Sequence, residues 1–262
     1  MLWQNTCARQ TPAGVWLECR EPHKAEGAAG LHIANLKRGT IKGFTAEARK
    51  RLLTVVSRLP EDVHYRVVTL TLPGYFRPWD SPEEQARLIA AFRKRVMRAF
   101  PGSFGVWRKE WQERGAAHWH ILIGRAKGMS MKWVAQNWNA IVDPTDKAHL
   151  RAGTQVEFVR SRNGVVRYMA KELGKTVQTM EVDRMVYWYG TSGRSWAFWG
   201  DRTVLAAMKL LAIPADQWSR LVEELDAYVR SRRKVKSPWM LHWTIGLVLT
   251  EDATGWWSFV EV

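Results

Sequence analysis

Between Phe104 and Ile123 the chain carries two strand-like runs, FGVWRKEWQ and AHWHILI, joined by a short loop that holds Gly115. Such a pattern reads as a β-hairpin, and a hairpin commits this part of the chain to an antiparallel sheet. Period-two geometry sends His118 and His120 to one face and Trp119 to the other, where it is expected in the core. Two imidazoles on one face suit a single metal ion or phosphate better than a dry interior. With a three-residue turn at Arg114–Ala116, Glu110 falls directly across from His120 and Gln112 across from His118, all four on one face. Glu110, His118 and His120 then converge. Two imidazoles and a carboxylate suit Mn, Mg or Zn with coordination positions left open, the arrangement of a Lewis-acid catalyst. A turn one residue longer or shorter would send Glu110 to the opposite face.

The neighbouring segments say what packs around this hairpin. Phe44 to Leu59 reads as an amphipathic helix with Thr45 near its N-cap, and Arg66 to Leu72, RVVTLTL, as a strand. Ser81-Pro82-Glu83-Glu84 sets a cap, a first-turn proline and a capping-box acid ahead of a helix running to Phe100. Leu88, Ile89, Phe92, Val96 and Phe100 form its apolar stripe. After the hairpin come a helix from Met131 to Ile141 capped by Ser130, a strand from Thr154 to Arg160, and a helix from Gly164 to Leu173. The order βαββαβ, followed by a helix, predicts an α+β fold of the split-βαβ kind, an antiparallel sheet with flanking helices. An irregular segment over 1–43 is expected before it. After it, over 201–262, we expect an appendage of two helices, Thr203 to Ala212 and Pro214 to Arg230, then strands at Trp239 to Leu249 and Trp256 to Val262.

Charge narrows the partner. Forty Lys and Arg against 25 Asp and Glu leave a net charge of +15, which favours a polyanion, nucleic acid ahead of an anionic membrane surface. Sixteen Trp can supply rings that stack on unpaired bases, although most are expected in the core. Cys7 and Cys19 are too few for a disulfide framework and form no CxxC pair, and no run approaches membrane-spanning length. A cytosolic protein is expected.

A second constellation lies in Arg167 to Lys175, RYMAKELGK. Tyr168, Lys171, Glu172 and Lys175 stand at i, i+3, i+4 and i+7, one face of a helix. A tyrosine beside two cations and an acid suits phosphoryl transfer, with the phenolate as nucleophile and lysine supporting the developing charge. Gly174-Lys175-Thr176 ends like a phosphate-binding loop, but Met169 stands where that motif needs glycine, so neither a nucleotide cofactor nor ATPase activity is expected.

Taken in order, Val67-Val68-Thr69-Leu70-Thr71, His118-Trp119-His120 and Tyr168 to Lys171 resemble the motifs of the HUH endonucleases, specifically the rolling-circle replication initiators of plasmids and small or filamentous phages. Gly193 to Gly200, GRSWAFWG, is similar to a stretch common in such initiators. The resemblance covers roughly Phe44 to Gly200 and implies a palm-like, RRM-like sheet presenting Mg or Mn on Glu110, His118 and His120. It implies Tyr168 as the nucleophile on single-stranded origin DNA, Lys171 as the motif lysine and Glu172 as an accessory acid, with Lys175 and Gln112 nearby. A 5′-phosphotyrosyl link and a free 3′-OH would result, in the cytosol of a bacterial host whose helicase and polymerase act as partners. One motif tyrosine implies, within the resemblance, a single-tyrosine enzyme; Tyr187 and Tyr189 could serve a second transfer, but they read as strand-core residues. Arg160, Arg162 and Arg167 beside the tyrosine, Arg87, Arg93, Lys94, Arg95 and Arg98 on the second helix, and RSRRKVK from Arg230 to Lys236 are the expected phosphate contacts. The alternatives are a relaxase or transposase with the same chemistry, and a basic DNA- or RNA-binding regulator without it.

Overall fold

The structure, a computed structural model, describes residues 6–12, 14–19, 40–74, 81–112, 115–159, 180–207, 209–211, 223, 247–251 and 257–261. In chain order its first elements are β1 Thr6–Thr11, β2 Gly14–Cys19, α1 Ala46–Ser57, β3 Tyr65–Thr71, α2 Pro82–Ala99, β4 Phe104–Trp111 and β5 Ala117–Gly124. There follow α3 Met131–Val142, α4 Lys147–Ala152, β6 Thr154–Val159, α5 Met180–Tyr189, β7 Trp196–Trp199, a 3-10 turn at Arg202–Val204, β8 Lys209–Leu211, β9 Leu247–Glu251 and β10 Trp257–Glu261.

The chain divides into two compact units. One comprises residues 38–56 and 60–205 and is built on a five-stranded sheet of order β6-β3-β5-β4-β7, antiparallel at every pairing. Its strands form where β-branched and aromatic residues fit a pleated surface. Three of its helices begin where their capping residues stand: Ala48 N–H donates to Thr45 Oγ1, Glu84 N–H to Ser81 Oγ and Trp133 N–H to Ser130 Oγ, each at 3.1 Å. Each such cap satisfies a backbone donor the helix cannot, a contribution of about 1 kcal/mol.

One face of this sheet makes the core. Leu88, Ile89, Phe92 and Val96 of α2 and Val134 and Trp138 of α3 pack with Val68, Leu70, Trp107, Trp119, Ile121 and Ile123. Trp119 is fully buried, as its alternation with the histidines predicts. Burying each large apolar side chain contributes roughly 1.5–3 kcal/mol, so this face anchors the sheet. By the same alternation the opposite face carries Thr69, Thr71, Arg108, Glu110, His118 and His120.

The other unit comprises residues 1–37, 57–59 and 206–262, and its five-stranded sheet runs β10-β9-β2-β1-β8, also antiparallel. Here the structure corrects the sequence reading. The start expected to be irregular contains the β1–β2 hairpin, with Thr6 opposite Cys19 and Thr11 opposite Gly14. The helix expected over Thr203 to Ala212 is instead a 3-10 turn capped by Asp201, whose carboxylate accepts from Thr203 N–H at 2.9 Å, followed by β8. Pairing explains both differences: Arg9 of β1 lies opposite Leu210 of β8, so each segment is a strand because of a partner far along the chain. The strand expected at Trp256 to Val262 is present as β10, paired with β9. Of the strand expected over Trp239 to Leu249, the described residues 247–249 begin β9. The helix expected over Pro214 to Arg230 lies outside the described residues apart from Glu223. No helix among the described residues is long and apolar enough to cross a membrane.

Candidate metal centre

The hairpin places its polar residues by register. Gln112 N–H donates to Ala116 O at 3.0 Å, so Glu110 lies opposite His118 and Arg108 opposite His120. The expected register had paired Glu110 with His120 and Gln112 with His118. The observed pairing is displaced by an even number of residues, so Glu110 keeps the face it shares with both histidines. Gly115, next to the closing pair, has φ of +73°, a left-handed conformation that glycine adopts without steric cost.

On that face Glu110 Oε1 stands 2.6 Å from His120 Nε2, and the two imidazole rings meet edge to face with centroids 4.6 Å apart. One ligand atom from each of Glu110, His118 and His120 lies within 4.8 Å of the others. His120 is buried, and Glu110 and His118 are half-buried. The donor set fits a divalent cation: two imidazole nitrogens and one carboxylate oxygen leave coordination positions for water or a phosphate oxygen. His118 Nδ1 is 2.8 Å from Thr71 Oγ1, the kind of outer hydrogen bond that fixes a ligating imidazole's orientation. Thr71 is held in turn, its carbonyl accepting from Trp138 Nε1 at 2.9 Å and from His149 Nε2 at 2.8 Å.

The two residues that precede Glu110 on β4 serve the sheet. Arg108 is buried, with its guanidinium 4.5 Å from the centroid of the Phe44 ring. Lys109 faces the core side, where Nζ donates to Gln85 Oε1 at 2.8 Å and to Ser192 O at 2.9 Å. Burial pushes the Lys109 ammonium down to about 7.

Thr71, Lys109 and His149 were not assigned roles by sequence reasoning. A signal for Thr71 was available: Thr69 and Thr71 stand two apart in an otherwise apolar strand, and they pair with His120 and His118 respectively. Nothing local marks Lys109 or His149, which are held by residues distant in sequence.

The basic positions on α2 have separate environments. Arg93 lines a cavity on the core side of the helix, and Arg95 Nη1 donates to Asn137 O at 3.1 Å. Arg87 pairs with Glu84, its Nε 2.7 Å from Oε2, while Lys94 and Arg98 are exposed. Tyr168, Lys171, Glu172, Lys175, Arg160, Arg162 and Arg167, and the basic run at 230–236, lie outside the described residues. Tyr187 and Tyr189, read from sequence as strand-core residues, belong to α5 and are 84% and 45% exposed. The helix buries Val182 and Met185, one helical turn apart, and the helical period turns the aromatic residues near its end outward.

Residues 65–177 match the family model of a replication-associated protein, ORF2. The matched stretch runs from β3 past β6 and includes Thr71, Glu110, His118 and His120. It ties this region by similarity to replication-associated proteins. Among solved structures, the hypothetical protein ORF119 from Sulfolobus islandicus rod-shaped virus 1 is similar at 16% identity, over 50% of this chain and 97% of that one, with a TM-score of 0.31. No curated protein sequence matches the chain.

Proposed function

We propose that this chain is a replication initiator that nicks single-stranded origin DNA through a tyrosine nucleophile and later rejoins strands. The observation that carries the reading is the convergence of Glu110, His118 and His120 on one face of the hairpin, inside the stretch that matches replication-associated proteins. In this reading the three residues hold Mg or Mn, with Thr71 orienting His118 and leaving Nε2 as its donor. The bound ion would supply Lewis acidity at the scissile phosphate.

The remaining steps belong to residues of the chain. Tyr168 attacks phosphorus as its phenolate, a P–OTyr bond forms, and the bond from phosphorus to the 3′ oxygen breaks. The released 3′ oxygen takes a proton and becomes the primer for a host polymerase, while the 5′ end stays on Tyr168. Lys171 supports the phenolate and the charge developing on the phosphate, with Glu172 and Lys175 as accessory groups. Arg160, Arg162 and Arg167 hold the flanking phosphates. A net charge of +15 favours the strand electrostatically. A host helicase opens the duplex ahead of the nick.

The test is incubation of the protein with end-labelled single-stranded oligonucleotides tiling its replicon, with Mn and with EDTA, followed by a denaturing gel. A metal-dependent protein–DNA adduct that vanishes in Tyr168→Phe supports the reading. Binding without any adduct would favour a basic nucleic-acid-binding regulator.

A further inference from the structure

α5 buries Val182 and Met185 and turns its aromatic end to solvent. Tyr187, 84% exposed, and Trp188, 70% exposed, are the most exposed large apolar side chains among the described residues. Their rings meet edge to face with centroids 5.9 Å apart, a contact that covers at most one face of one ring and leaves flat faces open. Two such rings left in water make a patch that marks a binding surface. The patch is firmly held. Gly190, with φ of +68°, ends the helix, and its N–H donates to Val186 O at 2.9 Å. Two residues on, Ser192 N–H donates to Ile41 O at 2.8 Å, and Ser192 O accepts from Lys109 Nζ at 2.9 Å. Lys109 directly precedes the candidate ligand Glu110, and the chain from Tyr189 to Ser192 spans at most about 11 Å. The end of α5 is thus tied to the strand end that carries the metal ligands.

Spacing argues against a partner helix as the occupant. Such a contact needs apolar residues at i, i+3, i+4 and i+7, and α5 commits that stripe, Val182 and Met185, to its own fold. Tyr187, Trp188 and Tyr189 are consecutive, so they fan around the helix at steps of about 100° and present their rings one at a time. Unpaired bases are flat, come singly along a strand and stack on any aromatic face. The chain's charge of +15 draws the phosphates that join them, and Arg194 is an exposed cation in the connection from α5 to β7. We propose that Tyr187 and Trp188 form a stacking platform for unpaired bases of the single strand that flanks the nick. This rests on the reading of the chain as an origin-nicking protein and adds to it where bases outside the scissile step are held.

The test is fluorescence anisotropy of the full chain with a labelled oligothymidylate and with an abasic strand of equal length and charge, both in EDTA. No nicking contributes under those conditions, so stacking and adduct formation can each fail without the other. The unsubstituted protein should bind oligothymidylate about tenfold or more tighter than the abasic strand. Tyr187→Ala combined with Trp188→Ala should weaken binding of oligothymidylate by about tenfold or more and leave affinity for the abasic strand within about twofold. Trp188→Phe, which keeps a ring, should retain most of the affinity, and the salt dependence, set by phosphate contacts, should be the same in every variant. Equal affinity of the unsubstituted protein for the two strands, undiminished affinity in the double variant, or an equal loss on both strands would each overturn the proposal. So would a self-associating chain that the double substitution makes monomeric with DNA affinity unchanged, which would make this face a contact between copies.

Discussion

Glu110 Oε1 lies 2.6 Å from His120 Nε2, although the strand register sets Glu110 directly opposite His118. The glutamate reaches diagonally along the sheet, a span its side chain can cover between strands. A single carboxylate is thereby brought to both imidazoles, and the three side chains form one donor set on the hairpin's polar face.

That donor set predicts metal binding that calorimetry with Mn can read directly. Glu110→Ala, His118→Ala and His120→Ala should each abolish saturable binding of one ion per chain. Thr71→Val removes the hydroxyl at His118 Nδ1 while keeping the side chain's shape, and should weaken Mn binding by about tenfold or more. Unchanged affinity in Thr71→Val would remove Thr71 from the site.

The proposed nucleophile separates binding from chemistry. Tyr168→Phe should leave single-stranded DNA affinity within about twofold and abolish the covalent adduct, since only the phenolic oxygen is lost. Lys171→Ala should slow adduct formation by about a hundredfold or more, the usual cost of removing one group that stabilises developing charge. Adduct in Tyr168→Phe would point to another tyrosine.

Tyr65 predicts a loss of stability in alkali. Burial, reinforced by the nearby Asp62 charge, raises its pKa well above the ordinary tyrosine value of 10.0. Above pH 10 the unfolded chain gives up this proton while the folded chain keeps it, so the folded state binds more protons and stability falls as pH rises. Denaturant unfolding from pH 9 upward should show this slope, and Tyr65→Phe should flatten it. The same substitution removes the bond from Tyr65 Oη to Pro60 O, 2.7 Å long, and should cost about 1 kcal/mol at neutral pH.

Trp138 couples the core to the site. Its ring is fully buried against Trp119 and Phe92, and its N–H supports the carbonyl of Thr71. Trp138→Phe should cost roughly 2–4 kcal/mol in urea unfolding, from lost ring volume and a lost hydrogen bond. It should also weaken Mn binding measurably, because the end of β3 that carries Thr71 loses a support. Full Mn affinity in a destabilised variant would show that His149 alone suffices to hold Thr71.

What could be read from the sequence was what neighbouring residues decide among themselves. Ser81-Pro82 and Ser130 mark the starts of α2 and α3 because a capping hydroxyl bonds a backbone N–H three residues on. In α5 the helical spacing of Val182 and Met185 was present in the sequence, but MVYWY also reads as a strand, and local pattern did not choose between them. The convergence of Glu110, His118 and His120 survived a wrong register because only the parity of the pairing matters to which face a side chain takes.

The sequence by itself determined the alternation that puts two histidines and a glutamate on one face, the capped helices, and the order of strands and helices that makes an α+β sheet. Tertiary structure alone decided that Thr71 reaches His118, that His149 and Trp138 hold Thr71, and that Lys109 is buried against Gln85 and Ser192. It also decided that β1 pairs with β8 and β2 with β9, strands some two hundred residues further along the chain. The physical reason is common to these contacts. Caps and alternation are short-range and cost little chain entropy to form, whereas a strand's partner or a buried ammonium's acceptor is chosen by which distant segments the folded core brings together.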